Sequence, residues 1–259
     1  MIGAIAGDII GSPYERHNIK VMDFPLFNAG STFTDDTVLT VAVADAILAG
    51  AGYGAKLKEY YRQYPHRGYG PGFRRWAASD RTTPYNSKGN GSAMRVSPVG
   101  LAFDTMDEVM REARRSAEVT HDHPEGIRGA QAVAAAVFMA RTGSSKDEIK
   151  AHLQKTFGYD LTQTIDAIRP YYRFDMTCEG SVPQAITAFL ESESYEDAVR
   201  KAVSIGGDSD TIACIAGGIA EAFYGGVPTD IRQGAMEKLD DRLRTVVEAF
   251  QAKYGSRIS

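Results

Sequence analysis

The chain has 259 residues, 43% hydrophobic and 24% charged, with a formal net charge of −4. That is ordinary globular composition with ample length for a buried core, and the mildly acidic balance excludes the broad basic footprint of a general nucleic-acid binder. The apolar N-terminus MIGAIAGDIIG lacks a basic leader and meets Asp8 well short of membrane-spanning length, so the expectation is a cytoplasmic protein with no membrane partner. Two cysteines, Cys178 and Cys214, do not make a disulfide framework, and Cys214 in IACIAGGIA reads as a buried thiol.

In chain order, residues 2–14 (IGAIAGDIIGSPY) read as a helix of small residues that lets another backbone approach closely. A loop follows over 16–33. Residues 35–49 (DDTVLTVAVADAILA) form an apolar helix with an acidic start and Thr34 as its N-cap. Residues 65–92 are rich in Gly, Pro and Arg and read as a second long loop, with a short helix at FRRWAA. Further helices are predicted over 105–117, 125–141, 145–156, 181–190, 194–204, 211–223 and 229–250. Residues 212–224 (IACIAGGIAEAFY) echo 2–14, which places both runs deep in the core with their adjoining acids converging. Period-2 strand patterns are nearly absent. The expected fold is all-α, a compact orthogonal helical bundle of about ten or more helices forming a single domain over 1–259.

Two acidic clusters stand out. Thr34-Asp35-Asp36 sits at a helix start, where free N–H groups and the dipole favour carboxylates, and the plain alternative is a capped helix. Gly206-Gly207-Asp208-Ser209-Asp210-Thr211 adds two more carboxylates and a hydroxyl, with oxygens at spacing 0, 2 and 3 that can converge on one point. This is not an EF-hand, because Ala213 stands where Gly is needed and Ile219 where Glu is needed. Carboxylates beside IACIAGGIA need a counter-charge if buried. Oxygen donors without thiolates select Mg²⁺, Mn²⁺ or Ca²⁺ over zinc or copper. Glu15 is a third potential donor, and Asp8 a fourth acid of structural character. Gly89-Asn90-Gly91-Ser92-Ala93-Met94-Arg95 is a Gly-rich turn able to present backbone N–H groups to phosphate, or else a plain turn. Thr120-His121-Asp122-His123-Pro124 lacks a third zinc ligand; its His and Asp cap the next helix, or one His meets a phosphate or ribose.

Taken in order, GDIIGSPYE, TDDT, GNGSAMR, THDHPEGIRGA and SIGGDSDTIACIAGGIAEAFYG resemble the ADP-ribosylglycohydrolase family, over residues 3 to about 225. The resemblance implies an all-α fold with a binuclear cleft holding two divalent cations, Mg²⁺ or Mn²⁺. Thr34, Asp35 and Asp36 match one ligand group, and Asp208, Asp210 and Thr211 the other. Glu15 matches the glutamate near the metals and the scissile bond. Gly89, Asn90, Gly91, Ser92 and Met94 match the loop for diphosphate and ribose, and His121 a ligand-contacting position. The implied reaction is hydrolysis of the C1″ glycosidic bond between ADP-ribose and an acceptor on a protein or small conjugate. The general base is then Glu15 or an Asp of the first cluster, Asp35 or Asp36. Arg67, Arg74, Arg75, Trp76 and Tyr85 lie in the long loop as candidates for the acceptor side. The rival expectations are a metal-dependent nucleotide phosphohydrolase and a non-catalytic, crystallin-like ADP-ribose binder. A monomer is the simplest expectation, and nucleic acid enters only as an ADP-ribosylated substrate.

Overall fold

The small residues of the first helix decide where the site forms. The computed structural model describes residues 1–257. Helix α1 (Ile2–Gly11) is buried along its whole length and runs antiparallel to α13 (Ser209–Phe223) with backbones in contact. A Cβ built on Gly3, Gly7 or Gly11 would lie 2.5 Å from Gly217 O, 2.1 Å from Ala213 O and 2.6 Å from Asp210 Cα. These three glycines recur every fourth residue, so they form one ridge with no side chain to hold α13 away. Ile5, Ile9 and Ile10 between them have no exposed surface, each burial stabilising by about 1.5–3 kcal/mol.

The other helices, in order, are α2 (Asp35–Ala49), α3 (Tyr53–Gln63), α4 (Pro71–Ala77), α5 (Gly91–Met94), α6 (Ser97–Ala102), α7 (Met106–Glu118), α8 (Pro124–Arg141), α9 (Lys146–Phe157), α10 (Ile165–Ile168), α11 (Cys178–Leu190), α12 (Tyr195–Ile205), α14 (Thr229–Lys238) and α15 (Asp241–Tyr254). Among the described residues there is no β-strand, only an isolated bridge between Gly89 and Thr177. The all-α expectation holds. Helix α13 lies at the centre, packed by α1, α8, α11 and α12. Cys178 and Cys214 are buried free thiols.

The predicted helix starts hold because their caps form. Thr34, Thr105, Ser145 and Ser194 each accept a backbone N–H in the first turn, and Thr105–Glu108 and Ser145–Glu148 close as capping boxes. The short helices α5, α6 and α10 were not predicted, and three further differences have local physical reasons. The predicted helix 229–250 breaks at Leu239, because Asp240 accepts from Leu243 N and starts α15 afresh. Helix α11 begins at Cys178, ahead of the predicted 181, because Thr177 Oγ1 accepts from Gly180 N and caps it there. Helix α3 was not predicted; its Lys, Glu and Tyr side chains hide a buried stripe of Tyr53, Leu57 and Tyr60.

Candidate active site

Because α1 runs antiparallel to α13, its C-terminal end meets the N-terminal end of α13. The chain leaves α1 through a single 3₁₀ turn, Ser12–Tyr14, and Glu15 follows at once. Carboxylate oxygens of Glu15, Asp208 and Asp210 therefore lie within 4.8 Å of one another. Asn18 ties the two chain segments together. Its Nδ2 donates to the carbonyls of Glu15 (2.9 Å) and Gly207 (3.0 Å), and its Oδ1 accepts from Gly207 N (2.7 Å). Gly206 and Gly207 both have positive φ, 74° and 72°, and a Cβ on Gly207 would strike Tyr172 at 2.4 Å. Only glycine lets the chain turn here from α12 into the Asp208 cap.

The first cluster is set by Asp8, fully buried on α1. Its carboxylate accepts from Thr34 N (3.0 Å), Thr34 Oγ1 (2.7 Å), Thr37 N (3.1 Å) and Thr37 Oγ1. Thr34 Oγ1 in turn accepts from Asp36 N at 3.2 Å, the N-cap bond of α2. Asp8 thus fastens the start of α2 to α1 and points the Asp35–Asp36 pair at the α13 end.

The third wall comes from residues 87–95. Asn90 N donates to Met176 O (2.8 Å) and Cys178 N donates to Lys88 O (3.0 Å), which zips the glycine turn to the segment before α11. Gly89 N is spent on Ser87 Oγ and Asn90 N on Met176 O, so over Gly89–Ser92 the N–H groups of Gly91 and Ser92, in the first turn of α5, are the ones without an intrahelical partner, and of the two Gly91 lines the cleft. Asn90 Nδ2 donates to Asp208 Oδ2 (2.7 Å) and Ser181 Oγ (3.0 Å). Its side chain orients a carboxylate of the second cluster.

A cleft of about 240 Å³ opens between these walls. It is lined by Glu15, Thr34, Asp35, Asp36, Gly89, Asn90, Gly91, Met94, His121, Asp208, Asp210 and Thr211. Of the predicted site residues, Ser92 alone is missing from the wall. Its side chain is buried and donates to Gly126 O at 2.7 Å. Of the loop candidates Tyr85 reaches the cleft. Trp76 is buried behind it, Arg74 and Arg75 face solvent, and Arg67 stacks on Phe33 at 3.8 Å. The reason is α4, which turns Phe73 and Trp76 inward at i, i+3 and both arginines outward. Sequence reasoning missed Arg95, Phe73, Phe174 and Met176 on the wall, and Asn18 beneath it. Arg95 carried a signal, since it interrupts an apolar run.

The electrostatics are one-sided. Burial, then neighbouring carboxylates, pushes Asp35, Asp36 and Asp210 well above the ordinary range. Burial likewise raises Asp8 and Asp208, and burial followed by the Asp208 charge raises Glu15. Among the described residues no lysine or arginine nitrogen lies within 4 Å of any of these six carboxylates. Two unit charges 4.8 Å apart repel by about 3.5 kcal/mol at an effective dielectric of about 20. The cluster must therefore take up protons or a cation. Asp36 Oδ2 is buried with no hydrogen-bond partner, an acceptor left open on the cleft side. Oxygens gathered within 4.8 Å of one another can share one cation, whose opposite ligands stand ~4.2 Å apart at oxygen bonds of about 2.1 Å. The donor set fits a hard divalent cation.

A model of the family described as ADP-ribosylglycohydrolase matches residues 1–257. The chain belongs to this family. As such it is an ADP-ribosyl hydrolase by descent, and the curated relatives named below carry that activity in their names. It is 28% identical to the ADP-ribosylhydrolase ARH3 of Mus musculus, an alignment covering 97% of this chain and 90% of that protein. It is 29% identical to the Homo sapiens ARH3, covering 87% and 84%. It is 25% identical to the ADP-ribosylarginine hydrolase Tri1 of Pseudomonas putida, covering 99% and 81%. A solved structure described as an ADP-ribosylglycohydrolase-related protein complex shares the fold, with a TM-score of 0.73 at 23% identity over 98% of this chain and 97% of that one.

Proposed function

We propose that this ADP-ribosylglycohydrolase cleaves the C1″ bond between ADP-ribose and an acceptor, with two divalent cations, Mg²⁺ or Mn²⁺, in the acid-lined cleft. The observation that carries the reading is the meeting of Glu15, Asp208 and Asp210 within 4.8 Å opposite Thr34, Asp35 and Asp36, beside the glycine turn. Thr34, Asp35 and Asp36 would hold one side of the pair, and Asp208, Asp210 and Thr211 the other. When bound, such cations orient sugar hydroxyls, offset the carboxylate charge and acidify water.

The chain's own residues do the rest. The Gly91 N–H group and His121 take the diphosphate, with Ser92 bracing the turn through its bond to Gly126 O, converting binding into orientation of the distal ribose. Gly89 and Met94 shape that wall, and Asn90 keeps Asp208 aimed inward. Glu15, half-buried and with its pKa raised, is the proton acceptor for the attacking water; Asp35 and Asp36 stabilise positive charge as it develops at C1″. Asp36, with 2% exposure, lies too deep to exchange a proton with solvent as Glu15 can.

The substrate class is an ADP-ribosylated protein side chain, such as arginine or serine, or a small ADP-ribosyl conjugate; Tri1's name favours arginine as the first to try. We take residues 1–259 as one domain acting as a monomer in the cytoplasm. No helix among the described residues is long and apolar enough to cross a membrane.

The deciding experiment incubates defined ADP-ribosylated acceptors with the protein in Mg²⁺, Mn²⁺ or chelator. Free ADP-ribose plus unmodified acceptor, lost with chelator, is the expected result. AMP or phosphate would make it a nucleotide phosphohydrolase, and tight ADP-ribose binding without turnover on any acceptor would make it a binding protein.

A further inference from the structure

Arg95 is the largest fully buried side chain among the described residues, yet no carboxylate pairs with it. Its Nε and Nη1 have no partner, and its Nη2 donates to Ser116 O (3.0 Å) and to Thr120 Oγ1 (2.8 Å). A buried, unpaired guanidinium is costly, so its position calls for a reason. Thr120 Oγ1 also lies 2.7 Å from His121 Nδ1.

The direction of that last bond follows from where the hydroxyl hydrogen can go. Thr120 Oγ1 already accepts from Arg95. Its own hydrogen has two possible acceptors, His121 Nδ1 at 2.7 Å and Ala117 O at 3.5 Å. Ala117 O is occupied by the backbone N–H groups of His121 (2.8 Å) and Thr120 (3.1 Å). The hydrogen therefore points at Nδ1, which must be the unprotonated nitrogen. Burial, aided by the Arg95 charge, holds His121 well below its ordinary range, so the ring is neutral and its one proton sits on Nε2. That nitrogen faces the cleft between two glycines. A Cβ at Gly91 would come to 3.2 Å from Nε2, and one at Gly89 to 3.5 Å.

We propose that Arg95 and Thr120 are positioning residues that fix His121 as the Nε2–H tautomer, a neutral donor aimed at an anionic phosphate oxygen in the cleft. The proposal deepens the reading of this cleft as an ADP-ribose site, where the acceptor oxygen belongs to the diphosphate. Arg95 acts twice: it orders the hydroxyl, and its charge behind the ring makes the donor side of the cleft positive, opposite the acid cluster. A neutral donor meets the anion without adding an imidazolium beside the guanidinium.

The test is nitrogen-15 NMR of the histidine-labelled full chain at neutral pH without nucleotide, with the His121 signals assigned by their loss in His121→Gln. The expected wild-type signature is an unprotonated Nδ1 and a protonated Nε2. Thr120→Val should mix the two tautomers and raise the Kd for ADP-ribose about tenfold, while Thr120→Ser restores both. Arg95→Met should also mix them; if it does not fold, the Thr120 pair still decides. A wild-type ring protonated on Nδ1 or on both nitrogens, or a pure Nε2–H form in Thr120→Val, overturns the relay. Unchanged ADP-ribose and pyrophosphate binding by Thr120→Val overturns the phosphate as its target. The spectra need no turnover, so a failure to hydrolyse any ADP-ribosyl bond with the Nε2–H signature intact counts against the proposed activity alone.

Discussion

Thr34–Asp36 and Asp208–Thr211 both stand at the start of a long helix, where the dipole and free N–H groups favour carboxylates, but they are fastened in different ways. The first is held from below by an ionisable group, the Asp8 carboxylate with its four hydrogen bonds. The second is held by neutral amides, Asn90 on the Asp208 side chain and Asn18 on the Gly207 backbone. The first cluster's geometry therefore depends on a charge state, whereas the second depends on shape. An acid used as an anchor adds to the negative potential the site must offset; an amide does not.

The largest effect should come from breaking either cluster outright. Asp36→Ala and Asp210→Ala should each lower kcat by about 100-fold or more, measured as ADP-ribose released per unit time. Full activity in either would mean that the two clusters do not serve one site. The anchors should rank below the ligands and differ from each other. Asp8→Asn should weaken cation binding roughly 10–100-fold, because an amide cannot accept from all four donors, and Asn90→Ala should fall at the low end of that range. Titration calorimetry with Mn²⁺ reads both, and equal losses would erase the distinction drawn above.

Gly7→Ala tests the frame on which both anchors stand. Its new methyl group meets the Ala213 carbonyl, a backbone atom that cannot rotate away, so a loss of about 1–3 kcal/mol in unfolding free energy is expected. The smallest effect is a matter of pH. Carboxyls whose folded pKa is raised destabilise the fold when ionised: the penalty is full above the raised values and is released as pH falls through them toward the ordinary carboxylate range. The chelated protein should therefore melt at least about 2 °C higher at mildly acidic than at mildly alkaline pH. Saturating Mg²⁺ should raise Tm at alkaline pH and remove that trend. A chelated Tm that falls on mild acidification would show that the clusters are not under the strain their burial implies.

The clusters, the glycine turn and the helix caps were legible in the sequence because each is a local pattern with one dominant cause. So was the closeness of 2–14 and 212–224, carried by their small residues. What the sequence hid depends on partners far along the chain. Asp8 could be read as structural, yet nothing local to it points to Thr34 and Thr37. Ser92 sits in the glycine turn, but Gly126 claims its hydroxyl. Arg74 and Arg75 share a loop with Tyr85, and only the orientation of α4 separates the wall from the surface. Asn18 lies in what reads as plain loop; its role appears when Gly207, 189 positions away, is brought beside it.

The contact of α1 with α13 has a consequence for which ions the cleft can tolerate. Asp210 lies in the first turn of α13, whose backbone touches α1 at Gly11, and Glu15 follows α1 after one 3₁₀ turn held by Asn18, so their backbones are set at a fixed spacing. Mg²⁺ asks for oxygens at about 2.0–2.1 Å and Ca²⁺ for about 2.3–2.6 Å. Side chains can relax toward the smaller ion without moving the frame. Seating the larger one asks the carboxylates to spread, and past the reach of their rotamers that means parting two helices along a seam of glycines. On the proposed two-cation reading, discrimination by size would be built into the main chain, well outside the shell of atoms that would touch the metal.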